Sequence, residues 1–349
     1  MPYINVDKPK FFINELQYQN SLDNLFISAW HDDNYVAREI DDLSSYPIFN
    51  HPEKTWVDVI GYNEGTVIIE FRLKTGYWND ILLAEDTSGN NQYGAYAGIF
   101  GHELVQDTFD VVSGSPGVYN SDNRFNPFVN IVNAIVPNNL GVEAEVPGWS
   151  MVGGLGHFVA DDQASIYVKF PVNYPFGCIS IGNYYSPEHN PDMGYSINHT
   201  HDGTKFTTTR GGSTFSNTYY SGPPNWSQGG AAWELGYFDE DNDIQPAPII
   251  PRLGRRIFNF NWTGMADTSI MPLNSLSTTH MNENDSTKSI DFYTQVIKKT
   301  LDQSFIFTSN STTYDPESFM IARWASPSLN FNNVTPKIYS FSKQIIESW

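Results

Sequence analysis

Along the 349-residue chain, apolar positions recur mostly at every second residue over short runs, and Gly, Pro, Asn and Asp punctuate those runs. Residues 65–73 (GTVIIEFRL) and 164–170 (ASIYVKF) read as strands. In residues 256–262 the rings of Phe258, Phe260 and Trp262 fall on one face. Ile257, Asn259 and Asn261 fall on the other, a clean period of two. The C-terminal stretch repeats the pattern with Tyr339, Phe341, Ile345 and Trp349. Lys343 and Glu347 interrupt that face, which predicts a strand only partly buried or set at an interface. One segment departs from the rule. Residues 289–302 carry apolar side chains at 290, 293, 296, 297 and 301, a helical spacing. Ser289 suits the N-cap, Asp291 the first turn, and Lys298 and Lys299 the last. A single helix of about three to four turns, packed on a sheet, is expected there.

Residues 1–45 show few strand signals and read as an extended arm rather than a domain. Residues 183–230 are rich in Pro and Gly loops, and an acidic run followed by Pro246, Pro248 and Pro251 makes a second hinge-like stretch. No repeat of fixed period occurs. The expected fold class is all-β (mainly β) with one packed α-helix. Residues 46–190 form one β domain, and residues 191–349 form a second that carries the 289–302 helix.

Charge narrows the partners. Lys and Arg total 19 against 39 Asp and Glu, a formal net charge of -20, so stable nucleic-acid binding and docking on anionic lipid are not expected. Charged residues are only 17% of the chain, below the roughly 25% of typical soluble domains, whereas aromatics reach 15%. Such a surface suits wide, low-charge contacts. The single cysteine, Cys178, excludes an internal disulfide framework, and its apolar setting reads as a small buried hydrophobe. The first residues lack the apolar core of a signal peptide, and no run approaches the ~18 apolar residues of a membrane span. The expectation is a chain made and kept in a cytoplasm.

The common catalytic signatures fail one by one. No Walker A motif or Gly-x-Ser-x-Gly elbow occurs, and the glycines of residues 153–156 lack the third Gly of a dinucleotide fingerprint. Residues 113–117 (SGSPG) read as a turn, and Gly101-His102-Glu103 lacks the second His of a zinc protease. The best metal candidate joins His199, His201 and Asp202 to Glu188 and His189, because two His at i and i+2 share one strand face. The competing reading is a solvated hairpin turning at Asp202-Gly203. Residues 239–243 (DEDND) match only the first half of an EF-hand loop and read as a solvated acidic loop. Tyr77, Trp78, Trp226 and Trp233 could stack on sugar rings, against the commoner role of such rings in cores and interfaces. No residue is nominated as catalytic, cofactor-binding or metal-binding, and no cofactor is expected.

Several segments resemble minor tail proteins of tailed bacteriophages, of the distal-tail type. They include residues 9–22 (PKFFINELQYQNSL), 91–104 (NQYGAYAGIFGHEL), 209–216 (TRGGSTFS), 221–226 and 232–235. The match continues through residues 254–262 (GRRIFNFNW), the helix at 292–301 leading into 305–308, then 315–323 and 339–349. A departure is the turn at 301–305, which lacks the usual Gly. The resemblance implies that residues 46–190 form a galactose-binding-like jelly-roll β-sandwich. It also implies a structural, non-enzymatic virion protein, assembled in the host cytoplasm into a homo-oligomeric ring, a hexamer by family pattern. That ring connects the tail tube to hub, fibre or adhesion proteins at the distal tail or baseplate. An acidic lining of such a channel repels DNA phosphate. The first rival is a receptor- or carbohydrate-binding virion module with a host glycan as partner. The second is a glycosidase with two close carboxylates in a cleft.

Overall fold

A computed structural model describes residues 8–31, 38–39, 66–83, 92–100, 108–116, 142–143, 149–153, 164–171, 178–193, 196–200, 204–218, 236–238, 244–246, 255–270, 290–311 and 319–348. In chain order, the N-terminal half contributes β1 (Lys10–Asn14), α1 (Glu15–Ser21), β2 (Leu25–His31), β3 (Arg38–Glu39), β4 (Thr66–Leu73) and α2 (Trp78–Ile81). It continues with β5 (Tyr93–Phe100), β6 (Thr108–Gly114), β7 (Val142–Glu143), β8 (Trp149–Gly153), β9 (Ser165–Pro171) and β10 (Cys178–Tyr185). The C-terminal half begins with β11 (Ser196–Thr200), β12 (Thr204–Thr208), β13 (Thr214–Thr218), β14 (Gly236–Phe238), β15 (Ile244–Pro246), β16 (Arg255–Ala266) and α3 (Asp267–Ile270). A π-helical turn (Tyr293–Ile297) then runs into α4 (Lys298–Thr300), followed by β17 (Phe305–Thr308), β18 (Phe319–Trp324), β19 (Phe331–Thr335) and β20 (Ile338–Glu347).

The protein is mainly β, as expected. Ten strands make one antiparallel sheet in the order β11-β16-β20-β18-β17-β1-β10-β5-β8, with β19 added beside β20. Six make a second sheet, β3-β2-β4-β9-β6-β7. A shared apolar core joins the two sheets, with Ile69 and Phe71 of β4 in the same cluster as Phe11 of β1 and Ile181 of β10. The strands expected at 65–73, 164–170, 256–262 and the C-terminus are β4, β9, β16 and β20. Phe258, Phe260 and Trp262 are buried on one face of β16, as their period demanded.

The described part of the arm expected at residues 1–45 takes a different place. Residues 10–14 form β1, the strand that joins the two halves of the large sheet, paired with β10 on one side and β17 on the other. Its five residues are all buried. Its side chains alternate, with Phe11 and Ile13 on one face and Phe12 between buried Lys10 and Asn14 on the other, and both faces are covered. Phe11 packs against Phe292, Phe305, Phe307 and Trp324 at ring-centroid distances of 5.2–5.9 Å. Phe12, on the opposite face, meets Tyr96 at 5.2 Å and Tyr184 at 6.0 Å. Five residues are too short a run to announce this by periodicity. The large sheet also runs without a break across the boundary expected at 190/191, because β1 bridges β10 to β17.

Asn14 ends β1 and caps α1 with its side chain, accepting from the Gln17 amide at 3.4 Å. The chain can turn here only because Gly182 faces it across the ladder. A Cβ on Gly182 would sit 1.9 Å from the Ile13 carbonyl oxygen and 2.7 Å from the Glu15 nitrogen.

The helix expected over 289–302 is shorter and faces differently. Asp291 supplies the capping bond, accepting from the Thr294 amide at 2.8 Å. Phe292, Val296 and Ile297 are buried, while Tyr293 and Leu301 are each 40% exposed. Phe292 wins the inward position because it touches Phe11, Tyr185, Trp262, Trp324 and Phe341, a ring-lined socket that no helical-spacing rule reveals. Lys343 and Glu347 on β20 are also buried, each with partners. Glu347 takes a forked contact from Arg256 at 3.0 and 3.2 Å. Lys343 donates to the carbonyls of Ser326 and Ser328, 5.2 Å from the Trp324 ring centre. The interrupted face is therefore core.

Candidate functional site

The six-stranded sheet has a second face, opposite the shared core. Alternation along β4 sends Ile69, Phe71 and Leu73 inward and leaves Ile68, Glu70 and Arg72 on that face. Ile68, Val112 and Tyr167 form a small cluster there. Buried Glu70 accepts from the hydroxyls of Ser28 at 3.1 Å and Ser165 at 2.5 Å. Further along the same face, Arg72 lies opposite Phe26 in the β2–β4 register, and its guanidinium sits 4.3 Å from the Phe26 ring centre.

Beyond Arg72 the chain leaves the sheet through a turn held from α1 and β2. Asn24 is the anchor: its side-chain oxygen accepts from the amide and hydroxyl of Thr75 at 3.0 and 2.8 Å. Gly76 takes φ +85 with open space where a Cβ would be, a left-handed turn that suits glycine. The next residues form α2. Trp78 is fully buried and donates its indole N–H to the Phe71 carbonyl at 3.0 Å. This pins the turn and leaves Tyr77 40% exposed beside it. The result is a cavity of about 740 Å³ lined by Phe26, Arg72, Leu73, Lys74, Gly76, Tyr77, Asp80, Pro116 and Ala164. That volume falls in the ~300–1,000 Å³ span of ligand sites. Lys74 is engaged at the rim by Asp23 at 2.6 Å. Arg72, Tyr77 and Asp80 have no hydrogen-bonding partner for their side-chain ends among the described residues. The described lining brings a ring, a guanidinium and a carboxylate to one space.

Other expectations separate. Trp78 is core and cannot stack on a ligand. Trp226 and Trp233 lie outside the described residues, as do His201, Asp202, Gly101, His102 and Glu103. His199 is on β11 opposite Arg256 of β16. Glu188 and His189 are exposed, and Glu188 accepts from the Ser269 hydroxyl at 2.7 Å. Among the described residues no cluster of three metal-ligating side chains forms. The turn read at Asp202-Gly203 lies outside the described residues; of the strands on either side, β11 pairs with β16 and β12 with β13. The tight turn sits at Thr209–Ser213, where Gly212 has φ +84 and the Thr209 hydroxyl takes the Ser213 amide. The β11 edge finds a longer apolar partner in β16. The acidic run 239–243 lies outside the described residues, flanked by the paired strands β14 and β15. Of the turn expected at 113–117, Ser113 and Gly114 end β6 instead, and the chain bends only from Ser115, whose carbonyl accepts from the Tyr167 hydroxyl at 2.6 Å. Cys178 is buried, and burial pushes its thiol far above the ordinary range, so no thiolate forms near neutrality.

The cavity itself was missed in the sequence. The available signal was Arg72 near the end of an apolar-rich strand, four residues before the Gly76-Tyr77 turn. No protein-family model, curated protein or solved structure matches the chain.

Proposed function

We propose that this protein is a structural subunit of a bacteriophage tail, assembling with its own copies into a ring at the distal tail or baseplate and contacting tube, hub or fibre proteins. The reading starts from the resemblance of scattered segments to distal-tail and minor tail proteins. The observation that supports it is where those segments lie. Residues 9–22 are β1 and α1, residues 91–104 include β5, and residues 254–262 lie in β16. Residues 305–308 are β17, residues 315–323 include most of β18, and residues 339–349 include most of β20, with the 292–301 helix packed against that sheet. Parts separated by up to three hundred residues are thus elements of one sheet with one core, which is what a single inherited module requires. Surfaces for neighbours are present as well. Met193 is fully exposed, Phe215 on the β12–β13 hairpin is 63% exposed, and Val334 on the edge strand β19 is 56% exposed.

Light-scattering mass and negative-stain images of the purified protein test this. Closed rings with a central channel are the expected result. A strict monomer at high micromolar concentration, alone and with tail-tube protein added, removes the ring reading.

A further inference from the structure

We infer that the cavity between β2, β4 and α2 binds a carboxylated sugar, of the uronic-acid class. The inference stands apart from the ring reading and rests on three side chains that line the same space and whose ends have no hydrogen-bonding partner among the described residues. Arg72 is half-buried and stacked on Phe26 at 4.3 Å, and no carbonyl or carboxylate among the described residues takes its N–H groups. Stacking fixes the guanidinium plane while leaving its N–H edges free for a planar anion. A carboxylate matches that fork in two parallel bonds. Tyr77, exposed and presented by the turn that Trp78 anchors, offers a flat face for the apolar side of a pyranose ring. Asp80, on the first turn of α2, is an acceptor for sugar hydroxyls.

The alternatives fit the same groups less well. A cation is disfavoured by Arg72, which no described carboxylate neutralises. Among the described lining residues Arg72 is the one cation outside an ion pair, since Lys74 is held by Asp23, and a phosphate-rich ligand meets the Asp80 carboxylate as well. A neutral sugar leaves the half-buried guanidinium without the anion that repays its desolvation. A ligand with one carboxylate, several hydroxyls and an apolar ring face uses all three side chains at once. The turn that presents them is rigidly tied, through Asn24 to the end of α1 and through Trp78 to the core, so the site is formed before ligand arrives.

Titration calorimetry of the full chain tests this with a glucuronate-containing oligosaccharide and its carboxyl-reduced counterpart. The acidic form binds, and the reduced form is weaker by about tenfold or more. Arg72→Gln abolishes the difference between the two. Tyr77→Ala, at an exposed position that leaves the core intact, weakens both by about tenfold. If Arg72→Gln melts early, Arg72→Lys replaces it, keeping charge but losing the fork, and the preference shrinks. No binding of either sugar by the wild-type protein at millimolar concentration overturns the inference. So does a preference that survives loss of Arg72, or affinity indifferent to Tyr77→Ala. A ring that binds neither sugar sinks this inference alone, and a monomer that binds the acidic one sinks only the ring.

Discussion

Replacing Lys299 by Met tests whether a buried ion pair ties the N-terminal segment to the C-terminal helix. Glu15, the first residue of α1, is fully buried, and its Oε1 accepts from the Lys299 ammonium and from the Asn183 amide at 3.2 Å. Its Oε2 has no hydrogen-bond partner. Asn183 in turn holds α2 in place, donating to the Ile81 carbonyl at 2.9 Å and accepting from the Leu83 amide at 2.8 Å. Removing the ammonium leaves a carboxylate in the core with one neutral donor, which costs about 3–5 kcal/mol when a buried pair is broken. Glu15→Gln leaves the less enclosed Lys299 with Gln295 as a partner, and costs about 1–3 kcal/mol. The double variant carries no stranded charge and should be more stable than Lys299→Met alone, with a coupling of about 2 kcal/mol or more. Urea unfolding by tryptophan fluorescence and circular dichroism gives the four stabilities, with coincident transitions as the check on two-state behaviour. If Lys299→Met stays within about 1 kcal/mol of wild type, or if the losses simply add, the pair is not a tie and the reasoning fails.

Gly182→Ala drives a methyl into the Ile13 carbonyl, a backbone atom that cannot yield without parting β1 from β10. The loss should exceed about 3 kcal/mol, by melting temperature, and an unchanged melt would mean that the β1 junction is looser than described. Cys178 should react with a thiol reagent only as the protein unfolds, since burial both shields the sulfur and suppresses its thiolate. Fast labelling under native conditions, counted by mass spectrometry, contradicts that. Lys343 is buried and burial lowers its affinity for a proton, so below its folded value the charge carries the full penalty. As pH climbs from there toward the ordinary ~10.4, the unfolded chain binds the proton more firmly and stability rises. The stability difference between wild type and Lys343→Met should therefore move in favour of wild type as pH rises toward about 10, and a flat difference refutes the sign.

The strands β4, β9, β16 and β20 were legible because each is long enough for a period of two to outrun chance. β1 was not, since its five residues are buried on both faces, Lys10 and Asn14 among them, and carry no readable apolar-polar alternation. What identifies it is its neighbours, and those are close to two hundred and three hundred residues away in the chain. The buried charges on β20 were misjudged for a related reason. A lysine or glutamate on an apolar face signals exposure unless its partner is known, and Arg256 meets Glu347 only once β16 and β20 are paired. The helix register turned on Phe292, whose five aromatic neighbours come from β1, β10, β16, β18 and β20. The cavity at Arg72 depends on a turn fixed by Asn24 from another part of the chain, a contact with no local trace.

The place of β1 also changes what an assembly of these chains can use. An extended arm would have supplied contact between copies by lying across a neighbour. Residues 10–14 are instead consumed within their own subunit, buried on both faces and paired on both edges. In the proposed ring, contacts between copies would fall to surfaces that the subunit leaves open. Among the described residues these are the β12–β13 hairpin with Phe215, the Met193 loop, and the strand β19, whose residues are exposed except for a half-buried Phe331. Among the described residues β19 pairs only with β20, an edge of the kind that can accept a strand from a neighbour. A ring built on such an edge joins subunits by backbone hydrogen bonds, which tolerate a low-charge surface better than ion pairs do. This accords with a chain that carries few charges beside many aromatics.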